Sequence, residues 1–482
     1  MALRLNLSGT IDRAVGFFSP AAGLDRMKAR RQMSVMMNYD AASRGPRTAS
    51  WRGPASSADA AGQSMGARAR LRNVARDFVR NRPYAARGIS VITGNVVGNG
   101  IHASVAEKNL ASDADAEKVL SHMNSTSLDA GGVLNFAAMQ RVIMNAVVED
   151  GEVLLRRRWR KGIYAKGLKL PFQIELLEAD YLDPRVNSHG GNEVIDGIEI
   201  GPTGAVVAYH LFKRHPGSAS RRIDLESVRV PASDIIHVRR IDRPGQLRGV
   251  SWFAPIMLTL GDLSDYQEAE IVKQKMAALT AGFIESDDEV GPGQGAASPA
   301  LEAEDLGIGE MVPGALLDLP PGKRVSFNNP PTVNGYDGFF RQNLGACAMG
   351  LGITYESMAG DLSNTNFVSG KMGRIDMDRN IENWQTHIVI DQVCKGVGGW
   401  ANEARALLPS AGDAPVLLTW TAPRRPLIDP REVKALISEV DAGLNSRSRA
   451  TRQLGRDPDL IHEERIKDAE RDKELPRDTK ET

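Results

Sequence analysis

The chain has 482 residues, 42% apolar and 25% charged, with a formal net charge of zero. That length exceeds one hydrophobic core and implies roughly two to four domains, while neutrality excludes a protein that grips nucleic acid over its whole surface. The two cysteines, Cys347 and Cys394, supply neither a disulfide framework nor metal-ligand spacing and point to a reducing compartment, and no apolar run approaches the ~18–20 residues that span a bilayer.

Charge is unevenly spread. Met1 to Gly100 carries sixteen Lys/Arg against five Asp/Glu, so this basic region is able to touch nucleic acid or an acidic partner, or to serve as a solvated arm. Leu3, Leu5, Leu7, Ile11 and Val15 are interrupted by Asn6, Asp12 and Arg13, which breaks any signal-peptide core. Residues 43–66, SRGPRTASWRGPASSADAAGQSMG, read as a flexible linker. Ala67–Asn81 reads as a basic helix with Leu71, Val74, Phe78 and Val79 on its buried side, and Pro83 limits its extension. Asn135–Val148 is a second helix, carrying Phe136, Met139, Val142, Ile143 and Val147.

From Gly151 the period changes to two. Glu152–Trp159, Phe172–Leu177, Ile195–Ile200, Ala205–Phe212 and Asp234–Arg239 read as strands divided by Gly/Pro/Asn turns, giving an antiparallel region beside helices. The fold class is therefore α+β and multidomain. Ser251–Leu279 returns to helix, with Ile256, Leu260 and Leu263 on one face and Asp262, Asp265 and Glu268 as an acidic stripe on a neighbouring one. Residues 282–331 are Gly- and Pro-rich, and their RVSF segment suggests a small β-containing insertion.

Residues 335–400 read as a helix, a polar break at Gly360–Gly370, and a much longer helix with Met377, Ile381, Trp384 and Ile388 on one side. A helix over about 368–400 would be roughly 50 Å long. Val416–Thr421 reads as a strand. Asp429 then caps a helix with Pro430 at its first position and Gly443 at its exit, and Ser446 and Asp457-Pro458 start two more.

No Gly-x-x-x-x-Gly-Lys-Ser/Thr loop is present, nor a His-Glu-x-x-His pair, nor a Gly-x-Ser-x-Gly elbow, so the sequence gives no support for an ATPase, a zinc hydrolase or a serine hydrolase. A nuclease would need converging carboxylates, for which Asp361, Asp376, Asp378 and Glu382 are the candidates. Residues two apart on a helix point about 200° from each other, so Asp376 and Asp378 cannot share a metal; Asp378 and Glu382 could, but Arg374 and Arg379 beside them suggest ordinary helix-surface pairs. Asp361, Ser363, Asn364, Thr365, Asn366, Ser369 and Lys371 make the break either a helix connection or a loop able to touch a phosphate backbone lightly. The stripe Asp262, Asp265 and Glu268 is either a solvated face or a lining that repels a polyanion.

Several segments together resemble portal proteins of tailed bacteriophages, of the lambda type. They are RARLRNVARDFVRNRPYAARGI at 68–89, VVGNGI at 96–101, EDGEVLLRRRW at 149–159, LLEADYLDP at 176–184, HVRRIDRPGQLRGVSWFAPIM at 237–257, LPPGKRVSFNNPP at 319–331, the stretch 335–385, WTAPRRPLIDP at 420–430 and LGRDPD at 454–459. The resemblance spans about residues 67–459. It implies a portal-type, ring-forming fold of about twelve subunits at one capsid vertex of a virion assembled in the bacterial cytoplasm. Double-stranded DNA would pass through the channel without sequence specificity in packaging and ejection. Partners would be the terminase large subunit, head-completion or tail adaptor proteins, and the major capsid or scaffold protein, with no membrane, cofactor or metal.

By resemblance, residues 1–66 are an arm and linker outside the family region, and 67–250 the α/β wing. Residues 251–281 and 332–359 are the two stem helices around a clip at 282–331. The tunnel loop is 360–370, the long helix and return to the wing 371–428, and the helical crown with a charged tail 429–482. The stem stripe would line the channel, and Glu302, Glu304, Asp305 and Glu310 of the clip would meet terminase. A metal-dependent nuclease of a phage particle, or a general capsid or scaffold protein, stands as the alternative.

Overall fold

The computed structural model describes residues 59–106, 108–219, 225–278, 282–286, 323–327, 335–363, 365–423 and 430–474. The arm up to residue 58, Asn364, the clip acids Glu302, Glu304, Asp305 and Glu310, and the cap Asp429 lie outside the described residues.

After a short helix α1 (Ala60–Ser64), α2 (Arg68–Asn81) ends where Arg82, preceding Pro83, adopts extended backbone. Pro83 limits α2 as expected and opens α3 (Pro83–Val96) at its first position, where its missing N–H costs nothing. Strand β1 (His102–Val105) leads to α4 (Asp113–Asn124), capped by Ser112. Helix α5 (Phe136–Glu149) is capped by Asn135, whose Oδ1 accepts the Ala138 amide at 2.9 Å. Its Met139, Ile143 and Val147 are buried, as their spacing demands.

Strands β2 (Glu152–Trp159), β3 (Phe172–Glu178) and β9 (Ile235–Arg239) form an antiparallel sheet in the order β3-β2-β9. Being central, β2 is apolar on both faces. Val153 and Leu155 join the large core built with the helices, while Leu154 joins a second core with Leu177, Leu182, Tyr209 and Leu211. Full burial of a side chain such as Leu154 stabilises by roughly 1.5–3 kcal/mol. The second core backs a five-stranded antiparallel sheet of β4 (Ser188–His189), β5 (Asn192–Ile195), β6 (Ile198–Ile200), β7 (Val206–Phe212) and β8 (Ser227–Pro231), paired in chain order. The single strand expected over 195–200 is two strands. Asp196 (φ 49°) and Gly197 (φ 81°) form a left-handed two-residue turn between them.

Helix α6 (Met257–Ala278) starts later than its sequence pattern suggests, but Ile256, Leu260 and Leu263 are buried as expected. Strands β10 (Gly282–Ser286) and β11 (Lys323–Phe327) pair antiparallel at the two ends of the insertion, the second containing the RVSF segment. Helix α7 (Tyr336–Leu351) runs against α6, with the Tyr266 and Tyr336 rings stacked at 5.5 Å and Tyr336 stacked on Phe340 at 5.8 Å.

The long helix is longer and less regular than its sequence suggests. It comprises α9 (Phe367–Trp384), a π-helical stretch Gln385–Cys394, and α10 (Lys395–Ala406); the short α8 (Tyr355–Ala359) precedes it. Met377, Ile381 and Ile388 are buried and Trp384 packs on Trp252 at 4.8 Å. In the wide π turns two glutamine amides reach backbone elsewhere. Gln385 Nε2 donates to the Val96 and Pro423 carbonyls, and Gln392 exchanges two 3.0 Å hydrogen bonds with the Arg239 backbone. Strand β12 (Leu418–Thr421) pairs with β1, so the chain returns to its early residues. Helices α11 (Pro430–Asp441), α12 (Arg447–Gln453) and α13 (Pro458–Glu474) close the described chain, with Gly443 left-handed at φ 73° and Ser446 capping α12.

Candidate functional site

The helix expected to run unbroken to the polar break stops at Leu351, because Gly352 turns left-handed (φ 72°) and its amide and that of Ile353 take up the last carbonyls. Thr354 caps α8 through the Ser357 amide, and Gly360 (φ 72°) ends it. The break itself covers 360–366 and is shorter than expected. Asn366 caps α9, its Oδ1 accepting the Ser369 amide at 2.8 Å, so Ser369 and Lys371 belong to the helix rather than to the loop.

Within the break, Asp361 Oδ1 accepts from the Ser363 amide at 2.9 Å and its hydroxyl at 2.6 Å, while Oδ2 accepts from Arg341 at 2.8 Å. These Ser363 bonds and the guanidinium hold the Asp361 carboxyl down at about 2, so it stays ionised. The Thr365 amide donates to the Leu362 carbonyl at 3.1 Å. A side chain at Gly370 would press on Thr365 Cγ2 at 3.0 Å, so the first turn of α9 packs directly on the loop. Lys371 Nζ lies 2.8 Å from Glu432 of α11. A cavity of about 430 Å³ opens beside the break, lined among others by Leu362, Thr365, Phe367 and Arg374.

The structure thus brings Asp361, Ser363, Thr365, Asn366 and Ser369 together and adds Arg341 and Glu432, which carry no local sequence signal because their partners lie on other elements. Asp262, Asp265 and Glu268 are all exposed on α6, and Asp265 stands 3.9 Å from Arg82. Asp376 and Asp378 do not converge. Asp376 pairs along the helix with Arg379 at 3.6 Å, and Met377 between the two acids is buried.

Part of the basic N-terminal charge is not available to an outside partner. Arg68, Arg72 and Arg76, one helical turn apart on α2, point inward rather than leaving that side to Leu71, Val74 and Val79, which are only partly buried. Arg68 pairs with Asp196, Arg72 with Asp180 at 2.8 Å, and Arg76 with Asp150, Glu178 and Asp180. Burial and the neighbouring Arg248 lower the Arg68 guanidinium to about 10. Beneath them Glu152 is fully buried between Arg248 and His237. Glu178, Asp180 and His215 hold ligand atoms within 4.8 Å of one another, a spacing that could bind a metal ion, but Arg76 already occupies both carboxylates.

An α+β body carrying a long helical rod, with a polar loop braced at the rod's end, has the construction of an architectural part. The profile of the family described as "Phage portal protein, lambda family" matches residues 44–385. The chain belongs to that family of portal proteins, the connectors of phage particles. It is 26% identical over 473 residues to the "Probable portal protein" of Halomonas phage phiHAP-1, covering 93% of this chain and 89% of that one. It is 23% identical over 467 residues to "Portal protein B" of Escherichia phage lambda, covering 87% and 86%. Among solved structures, one similar chain is from the neck of a native GTA particle computed with C12 symmetry. That chain is 13% identical, with a TM-score of 0.47 over 80% of this chain and 94% of that one.

Proposed function

We propose that copies of this chain close into a ring of about twelve at one vertex of a capsid. The ring conducts double-stranded DNA during packaging and ejection and has no active site of its own. The observation that carries this reading is the braced break. Its ionised Asp361 is offset by Arg341, and Lys371 at the head of α9 is engaged by Glu432. Apart from Arg374 in the cavity wall, such a surface is polar with little free charge. Affinity for DNA grows with every phosphate neutralised, so a conduit must present little unpaired positive charge to the duplex.

In this reading Asp361, Ser363, Asn364, Thr365 and Asn366, with Ser369 and Lys371 behind them, face the duplex. The exposed Asp262, Asp265 and Glu268 of α6 repel it from the channel wall. The wing is 67–250 and the stem is α6 with α7. The clip spans 282–331, with Glu302, Glu304, Asp305 and Glu310 meeting the terminase and later the adaptor proteins. Residues 429–482 form the crown, and capsid or scaffold protein surrounds the ring.

Electron microscopy of the purified full chain tests the assembly. Closed rings with a central hole are expected, and monomers or shells would overturn the reading. Metal-dependent DNA cleavage lost in Asp378→Ala would replace it with the nuclease alternative.

A further inference from the structure

Two surfaces of the chain carry complementary halves of one contact. The first is the turn joining β2 to β3, residues 160–171, RKGIYAKGLKLP, which contains no acidic residue. Gly162 and Gly167 are left-handed (φ 57° and 87°), with open space where a side chain would point. Between them a 3-10 turn, Gly162–Ala165, holds Ile163 80% and Tyr164 73% exposed. Lys161, Lys166 and Lys169 flank this tip, exposed and without a salt bridge among the described residues. An apolar pair ringed by charge has the anatomy of an interface anchor and its rim.

The second surface is an open cavity of about 530 Å³ between α2, α5 and the end of β3. Val79, Val142 and Leu176 supply apolar wall, and Glu149, Asp150 and Glu178 supply carboxylates, with Arg76 and Arg80 beside them. Arg76 is committed to Asp150 and Glu178. Glu149 makes no salt bridge among the described residues, and burial together with the Asp150 carboxylate pushes its own carboxyl up, against the opposing pull of Arg76 and Arg80.

The two surfaces lie at opposite ends of one ladder. Trp159 faces Phe172 beside the turn, and Val153 faces Glu178 beside the cavity. The strand between them spans roughly 20 Å at about 3.3 Å per residue. The tip therefore cannot fill its own chain's cavity, but it can fill the next copy's in a head-to-tail arrangement.

We propose that Ile163 and Tyr164 of one copy seat in the α2–α5–β3 cavity of the neighbouring copy, with Lys161 and Lys166 toward Glu149, the carboxylate that Arg76 leaves unpaired. This rests on the ring reading above. A DNA duplex would satisfy the lysines but offers its phosphate surface no receptor for Ile163.

The test pairs Tyr164→Cys with Val142→Cys. The natural Cys347 and Cys394 are buried and stay out of the reaction. Mild oxidation of the double variant is expected to give a ladder of covalent multimers on a denaturing gel, which neither single variant gives. Ile163→Asp, checked for an unchanged melting curve, is expected to lower ring yield roughly tenfold at equal concentration. Rings in micrographs with no ladder, and a ring yield indifferent to Ile163→Asp, would overturn the contact and leave the ring standing. Wild-type protein without rings would overturn the ring reading itself. Salt-sensitive binding of a short DNA duplex that disappears in Lys161→Glu/Lys166→Glu, with ring yield unchanged, would assign the turn to DNA instead.

Discussion

Arg341 Nη2 stands 2.8 Å from Asp361 Oδ2, so a residue of α7 reaches past α8 to hold the acidic residue of the break. The other oxygen of the same carboxylate closes the turn through Ser363. One side chain thereby fixes both the shape of the loop and its seat on α7. A loop that must keep one shape needs that economy, since ordering a floppy segment costs about 1–2 kcal/mol per residue.

Asp361→Asn should therefore loosen 361–366 without unfolding the protein. The pair is solvent-accessible and such pairs contribute little, so the melting temperature should hardly move while amide exchange of Ser363 and Thr365 accelerates. The sign with pH follows from the low Asp361 carboxyl. Its contribution is present above the ordinary carboxylate range and is lost as pH falls through about 2. Hydrogen-exchange mass spectrometry, corrected for intrinsic rates, checks both. An unchanged profile in the variant would mean that the Asn366 cap and Gly370 packing suffice to hold the loop.

The Arg68–Asp196 pair lies at the opposite extreme of burial, with the two side chains 6% and 8% exposed. Removing one partner strands the other charge, and Arg68→Ala should cost about 3–5 kcal/mol. Replacing the pair together, Arg68→Met with Asp196→Asn, should cost clearly less, and asparagine also tolerates the left-handed φ of 49° at 196. Urea unfolding of the two variants measures the difference. Equal losses would show that the arginine stem, not its charge, is what α2 needs.

Sequence pattern located strands far better than it located partners. Strand β2 is legible because Val153 and Leu155 must face one core and Leu154 the other. The merged strand at 195–200 failed because Asp196-Gly197, a turn signal in itself, sits inside an apolar run. The inward stripe Arg68, Arg72 and Arg76 was illegible because its acids come from α5, β3 and the loops beyond, and burial of arginine depends entirely on such partners. The break was legible as composition, but its end was not. Asn366 reads as one more polar loop residue until its Oδ1 is seen on the Ser369 amide. The π stretch has no composition of its own. What marks it in the fold is that Gln385 and Gln392 reach the Val96 and Arg239 carbonyls from it.

His122 gives a second pH dependence with a different window. Burial lowers its pKa to about 4, and its Nε2 lies 3.1 Å from the Phe172 carbonyl, so the neutral ring donates there. The unfolded chain binds a proton near 6.5, whereas the folded chain resists protonation down to about 4. Stability should thus be full above about pH 6.5 and decline as pH falls toward 4, by about 1–3 kcal/mol for this one group. His122→Gln, which keeps a donor and cannot charge, should flatten that part of the urea-midpoint profile. A profile of unchanged slope between pH 6.5 and 4 would exclude His122 as its source.

Gly151 sets the sharpest requirement on a single residue. It joins α5 to β2 with φ at 94°, a conformation that side chains rarely adopt. A Cβ there would also meet the Val250 carbonyl carbon at 2.3 Å, and one at Gly249 would meet the Gly151 oxygen at 2.1 Å. Two backbones touch at this point, and neither can retreat. Glu152, the next residue, is held by Arg248 and accepts the Gly249 amide at 2.8 Å. Strain and overlap therefore add, and Gly151→Ala should destabilise by more than about 4 kcal/mol. Gly190→Ala, left-handed at φ 56° in open space, isolates the strain alone and should cost about 1–2 kcal/mol. Thermal unfolding of the two variants side by side separates overlap from strain, and equal losses would place the whole cost at Gly151 in its φ.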